Sequence, residues 1–257
     1  MRTLPIDAEY PFDIQDLRYF QIIYCYQMPM IYFVAINAGL FMTFVTSLMS
    51  FVCAQMKILK ESFQFMKEYA AIDLIFKEKN ALQLLSEEYI NYDDFDPKDL
   101  WEQVHVNFKH SIQHHNEIKK FSNEIQNLFG INFFIDMTCG ALLIGCTCVA
   151  LTSRLEFTLR TVTITMVSIV ALVQLAIDCY FGNNVIDEAH TITNSLYFSN
   201  WLEAPTNIKK MIIFTMENCK KSNEFSPGLS FNLSLSTFLN ILKKTYSFIA
   251  LLQSYTE

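Results

Sequence analysis

The sequence has little glycine and none of the short motifs on which common enzyme classes depend. It contains 6 Gly and 6 Pro in 257 residues. No GxSxG nucleophile motif, P-loop, Rossmann glycine pattern or HExxH metalloprotease motif is present. No paired carboxylates lie on one face of an apolar helical segment. We therefore expect neither an enzyme nor a bound cofactor.

Patterns that attract nucleic acid or hold metal are also missing. The formal net charge is −7, and basic residues do not alternate with aromatic ones as they do on nucleic-acid-binding surfaces. The seven cysteines match no zinc spacing, and none completes a site with His110 and His114. The acidic run at 93–99 lacks the glycine and terminal glutamate of a calcium loop. We predict no nucleic-acid partner and no metal site, and a solvated turn that caps the helix near Trp101.

We expect no cleavable signal sequence, because residues 1–12 are polar and contain prolines. What the sequence does contain is long stretches without charge. Residues 19–56 contain no charged side chain. Residues 225–242 contain none either, and Lys243 and Lys244 follow them directly. About 20 apolar residues in a helix cover the roughly 30 Å of bilayer hydrocarbon. We predict four transmembrane helices, at residues 19–56 with a cytosolic extension, 130–153, 161–178 and 225–254.

Polar segments separate these predicted spans. They are an extracellular loop at 1–18, a cytosolic helical insert at 57–129, an extracellular link at 154–160, and a cytosolic loop and helix at 179–224. Nine Lys or Arg lie in residues 57–126 and four in 183–224, against two in the link. The positive-inside rule therefore favours an extracellular position for both ends. The predicted fold class is an all-α integral membrane protein.

Two predicted spans carry residues that share one helical side at spacings of three and four. On the first span these residues are Tyr32, Ile36, Gly39 and Thr43. On the third span they are Met166, Ile169, Val170 and Val173. Small, hydroxylated and apolar residues at such spacing are typical of helix packing, and they also suit the border of a cavity. Both interpretations stay open on spacing alone.

The last predicted span resembles the final helix of insect odorant receptors. The residues that carry the resemblance are Leu233, Ser234, Leu235, Thr237, Phe238, Ile241, Leu242, Lys243, Tyr246 and Ser247. Lys244 departs from the family pattern, which more often has a small residue there. The HHxxIxxFxxxIxxLF pattern at 114–129 and the segment 178–201 are also similar to that family. Residues 1–18 resemble its second extracellular loop, so we expect three further helices of the family fold ahead of Met1.

The resemblance implies an inverted seven-helix fold, of which this chain would supply four helices and a cytosolic anchor region. It implies the ligand-binding subunit of an odorant-gated cation channel, a heterotetramer with a co-receptor subunit in the plasma membrane of olfactory sensory neurons. The ligands would be small volatile molecules, and lipid would surround the spans. In this reading the two shared sides named above border the ligand cavity.

The resemblance also implies which residues line the pore and which pack the anchor region. The candidate pore-lining residues are Leu239, Lys243, Tyr246, Ala250 and Gln253. The candidate anchor-packing residues are His115, Ile118, Phe121, Tyr197 and Trp201. Because a fixed positive charge in a cation pathway should lower conductance, we expect Lys243 to face a hydrated vestibule or a neighbouring subunit.

Two alternatives stay open. The first is a truncated, non-conducting fragment of a receptor, which would lack helices that complete the cavity. The second is a gustatory receptor, although the last helix of that family typically carries a different, tyrosine-based signature. A G-protein-coupled receptor is disfavoured, because the carboxyl terminus is predicted to be extracellular.

Overall fold

The computed structural model of the chain describes residues 11, 16–78, 95–153, 159–222 and 234–256. Side chains at 149–161, 220–233 and 248–257 are outside the description. Within the described ranges the chain is helical, with no strand. Most of the predicted loop at 1–18, most of the link at 154–160 and the start of the last predicted span lie outside the described residues.

The described residues form six α-helices in chain order. They are α1 (Leu17–Gln64), α2 (Met66–Glu78), α3 (Pro97–Ser153), α4 (Leu159–Tyr197), α5 (Thr206–Ser222) and α6 (Leu235–Thr256). A short 3-10 helix at Trp201–Glu203 precedes α5. Three of these helices contain segments long and apolar enough to cross a membrane, at Leu17–Gln64, Pro97–Cys148 and Val162–Tyr197. The predicted all-α membrane fold class is therefore confirmed, whereas the fourth predicted span, at 225–254, stays a prediction.

The part of α1 up to Leu48 is one of two compact units. Its polar side chains hydrogen-bond to their own helix. Asn37 Nδ2 donates to the Phe33 carbonyl at 2.7 Å, and Thr43 Oγ1 donates to the Gly39 carbonyl at 2.9 Å. Such bonds satisfy polar groups without help from water. This segment can therefore carry amide and hydroxyl groups through a lipid environment.

The second unit begins at Met49, and in it the end of α1 packs antiparallel to the first half of α3. Later residues of α1 contact earlier residues of α3. The pairs are Phe51 with Phe121, Gln55 with His114, Ser62 with Ser111, and Phe63 with Phe108. The rings of Phe63 and Phe108 lie 5.4 Å apart between centroids, and both side chains are fully buried. This contact forms the centre of the predicted cytosolic region.

The first turn of α3 is fixed by the acidic run. The Lys98 N–H donates to Asp96 Oδ1 at 3.0 Å, and Pro97 occupies the first helical position. An aspartate cap followed by proline is a favoured helix start, because the first backbone N–H groups lack helical partners. The predicted cap is therefore confirmed at Asp96. Residues 93 and 94 lie outside the described part of the chain.

The helix α4 does not end near residue 178, where we expected the cytosolic loop to begin. It continues to Tyr197. Asn183 Nδ2 donates to Asp187 Oδ2 one turn later at 2.6 Å, and Lys60 of α1 pairs with Glu188 at 2.8 Å. These contacts stabilise the helical conformation of this segment, although its polar composition suggested a loop. The predicted amphipathic helix that follows is present as α5.

We predict that Phe63→Ala lowers the free energy of unfolding by about 3–5 kcal/mol, because it leaves a cavity beside Phe108. Thermal unfolding of the purified chain in detergent measures the effect. Phe76→Ala is the matched control, since the Phe76 side chain is 56% exposed, and it should change stability by about 0.5 kcal/mol or less. Equal losses in the two variants would contradict the assignment of this core.

Candidate functional site

The helix α6 has one side against the protein and one side turned away from it. Phe238 and Ile241 are half-buried and pack against a cluster of Met137, Leu175 and Cys179 from α3 and α4. Gly145 of α3 is also close to α6, because a Cβ atom built there would lie 3.9 Å from Thr245 Cγ2. The packed side of α6 therefore runs through residues 238, 241 and 245.

The three described members of the predicted pore-lining set lie on the other side. Leu239, Lys243 and Tyr246 are all exposed, Tyr246 by 75%. Lys244 is exposed as well, so the structure does not single out Lys243. Within the described ranges, neither lysine forms an ion pair. The helix continues through Ala250 and Gln253, whose side chains lie outside the description.

The start of α6 is held by a hydroxyl cap that the sequence analysis did not identify. The Thr237 N–H donates to Ser234 Oγ at 3.3 Å, and the Ser234 side chain is buried. A serine three residues before the bonded N–H is a common N-cap. The signal was present in the sequence as a serine directly ahead of an apolar helical pattern.

The predicted ligand-facing residues fall on two helical segments, one in each compact unit. On α1, Tyr32, Ile36, Gly39 and Thr43 are exposed along one side. On α4, Met166, Ile169, Val170 and Val173 are also exposed along one side. Each set thus shares a face as predicted. That each set borders a ligand cavity stays a prediction.

The predicted anchor-packing residues divide into buried and exposed positions. Ile118 is buried, whereas His115, Phe121 and Trp201 are half-buried and Tyr197 is 63% exposed. Trp201 Nε1 donates to the Tyr197 carbonyl at 3.2 Å, which holds the 3-10 helix against the end of α4. Ile118 therefore stabilises the subunit itself, while Tyr197 is free to contact something else.

Two further exposed residues beside Tyr197 were missed by the sequence analysis. Phe198 is 72% exposed and Leu202 is 71% exposed. The rings of Tyr197 and Phe198 meet edge to face at 5.5 Å between centroids. Large apolar residues grouped on a surface often mark an interaction site. The signal available in the sequence was an aromatic pair inside an otherwise polar segment.

His115 and Cys219 form a half-buried contact between α3 and α5. Cys219 Sγ lies 3.7 Å from His115 Nε2, and His115 Nδ1 has no hydrogen-bond partner among the described residues. Burial lowers the pKa of His115, assisted by the positive charges of Lys119 and His114. Burial also raises the pKa of the Cys219 thiol to about 11, so the thiol keeps its proton at neutral pH. The described residues contain no cluster of three or more His, Cys, Asp or Glu side chains arranged to hold a metal ion.

Comparison with known proteins identifies one family over nearly the whole chain. A family model described as 7tm odorant receptor matches residues 1–246. Odorant receptor 94a of Drosophila melanogaster is 36% identical over 83 residues, which are 32% of this chain and 21% of that relative. Odorant receptor Or1 of Anopheles gambiae is 28% identical over 143 residues, 54% of this chain and 34% of that relative.

A more distant similarity reaches the odorant receptor coreceptor of Aedes aegypti. It is 20% identical over 144 residues, which are 56% of this chain and 30% of that relative. The chain thus spans between about a fifth and a third of the length of these three relatives. The family resemblance seen in the final helix is confirmed.

We predict that stability falls between pH 7.5 and pH 5.5 in part because of His115. Its folded pKa lies below the ordinary value of 6.5, so the unfolded chain binds a proton more readily as the pH falls. The stabilisation is present above pH 6.5 and is lost as the pH drops toward the folded pKa. The thermal unfolding midpoint should therefore decrease less between the two pH values in His115→Gln than in the unsubstituted chain. His105→Gln, at an exposed position of the same helix, should leave the loss unchanged, and identical losses in both variants would refute the role of His115.

Proposed function

Because the chain belongs to the insect odorant receptor family, we propose that it is the ligand-binding subunit of a heteromeric, odorant-gated cation channel. Members of this family are receptors, not enzymes. The proposal adds to that membership a pore, a partner subunit, a ligand class and a cellular location.

The observation that carries the proposal is the uncovered side of α6. A charged side chain facing lipid is costly, so intramembrane charges face water or another part of a protein. Lys243 and Lys244 are both exposed in the isolated subunit, on the part of α6 not packed by α3 and α4. We propose that Leu239, Lys243 and Tyr246 face a water-filled pathway between subunits, and that Ala250 and Gln253 continue that side toward the outer end.

The proposed partner is a co-receptor subunit in a heterotetramer. The similarity to a protein named odorant receptor coreceptor, over 144 residues, supports a shared mode of assembly. The exposed apolar group formed by Tyr197, Phe198 and Leu202 supports a contact outside the membrane, because these three side chains lie near the end of α4. We propose that this group packs against a neighbouring subunit in the anchor region.

The proposed ligands are small volatile molecules. An apolar ligand binds mainly through buried apolar area with few polar contacts. The candidate sides on α1 and α4 supply apolar and aromatic surface with two hydroxyls, at Tyr32 and Thr43, and the Thr43 hydroxyl already donates to the Gly39 carbonyl. Ligand binding opens a pore only if the open arrangement binds the ligand more tightly. The proposed location is the plasma membrane of olfactory sensory neurons.

Recording of currents tests this function directly. We expect cells that express the complete receptor carrying this chain together with the family co-receptor to show odorant-evoked cation currents from a panel of volatile compounds. The co-receptor expressed alone is the control for ligand specificity. A complete receptor that reaches the cell surface with the co-receptor, and changes neither the response profile nor the ion permeability, would contradict the proposal.

We predict that Lys243→Ala raises cation conductance through this channel, because it removes a positive charge beside the pathway. Lys244→Ala, the adjacent and equally exposed lysine, is the comparison variant, and an equal rise in conductance would place both lysines beside the pathway. Leu239→Cys should react with water-soluble thiol reagents, while Ile241→Cys, against the α3 and α4 cluster, should react slowly. Unchanged conductance in Lys243→Ala, together with no labelling at residue 239, would remove this side of α6 from the pathway.

A further inference from the structure

A cavity between α3 and α4 contains two acidic side chains that the proposed channel mechanism does not use. Its volume is about 190 Å³. The polar part of its lining consists of Asp136 and Cys139 from α3 and Gln174 and Asp178 from α4. All four belong to the apolar stretches of their helices or to the ends of those stretches. An ionisable side chain in such a position points to a function, because its burial is otherwise unfavourable.

Asp178 is the unusual member of this group. The residue is only 3% exposed, and its Oδ1 atom has no hydrogen-bond partner among the described residues. It lines the cavity, and the charge of Asp136 on the facing helix repels its own. A buried carboxylate is normally paired, hydrogen-bonded or bound to a metal. The charged form of Asp178 would therefore require a positively charged partner.

The described part of the chain does not supply that positive charge. Its ion pairs use Lys57, Lys60, Lys67 and Lys120, and none involves Asp136 or Asp178. On the side toward α6, the residues beside the cavity are apolar. Met137 and Cys179, the sequence neighbours of the two aspartates, pack against Phe238 and Ile241. We therefore consider a cation from solution as the source of positive charge.

We propose that this cavity binds one partly hydrated divalent cation, with Asp136 and Asp178 as ligands and the amide oxygen of Gln174 as a third. Hard divalent cations take oxygen ligands, and Mg²⁺ in particular is often held by one or two carboxylates while it keeps several waters. Water molecules must complete the coordination of the ion, because the described ranges contain no cluster of three His, Cys, Asp or Glu ligands. The cavity is much larger than the roughly 30 Å³ that one water occupies, so it has room for an ion and its waters.

Occupancy of this site would join α3 to α4 and strengthen the packing of α6 against both. The two carboxylate ligands come from different helices, so the ion would bridge them. The neighbouring residues Met137, Leu175 and Cys179 form the cluster on which α6 rests. This site does not depend on the proposed channel function, because it requires only the packing of α3 against α4.

Thermal unfolding of the purified full chain in detergent tests the site. We expect MgCl₂ or CaCl₂ to raise the unfolding midpoint relative to EDTA, with choline chloride used to match the ionic strength. Asp178→Asn and Asp136→Asn should weaken the ion affinity ~10-fold or more, by analogy with the loss of groups that support metal ligands. Glu124→Gln, an exposed carboxylate on α3, is the matched control and should keep the full response. Calorimetric titration with each ion gives the affinity independently.

Three outcomes would overturn the proposal. The first is an unsubstituted chain that shows no response to either divalent ion, which would mean that a bound proton neutralises Asp178. The second is a response that survives intact in both asparagine variants. The third is an equal response to NaCl, which would assign the site to a monovalent ion. If Asp178→Asn does not fold, the titration of the unsubstituted chain and Asp136→Asn decide the question, and failure of channel recordings would leave this result unaffected.

Discussion

A backbone that crosses hydrocarbon has no water to bond with, and the rest of this structure depends on that constraint. Each peptide group must find its partner within its own segment, which in a helical protein means an uninterrupted helix. The long continuous helices α1, α3 and α4 are the result. Thr43 and Thr147 follow the same rule in their side chains, since each hydroxyl donates to the carbonyl four residues earlier.

The same helices leave the apolar stretch and continue into a region held by different contacts. Beyond Met49, polar and aromatic pairs such as Lys60 with Glu188 and Phe63 with Phe108 hold α1, α3 and α4 together. The helix α6 is a contrast, because it packs on one side only and leaves two lysines exposed. A subunit with a firmly packed region and a helix that has one uncovered side is suited to assembly with other subunits, as we propose for this member of the odorant receptor family.

Much of this architecture could be predicted from the sequence, and the misses have identifiable physical causes. The charge-free stretches predicted membrane helices because length and composition alone determine whether a helix can span lipid. The end of α4 was misplaced because residues such as Asn183 and Asp187 have low helix propensity, and contacts distant in sequence overrule that preference. The facing positions of Asp136 and Asp178 were not predicted either, because only the packing of α3 on α4 brings them together.

The uninterrupted length of α3 has a mechanical consequence. Its 57 residues correspond to about 85 Å of helix at a rise of 1.5 Å per residue. It has no internal proline after the first position, and proline is a common cause of sharp kinks. If this rod pivoted at one end by roughly 5°, the far end would sweep about 7 Å, given that length. A small tilt at one end of α3 would therefore become a displacement of several ångströms at its other end.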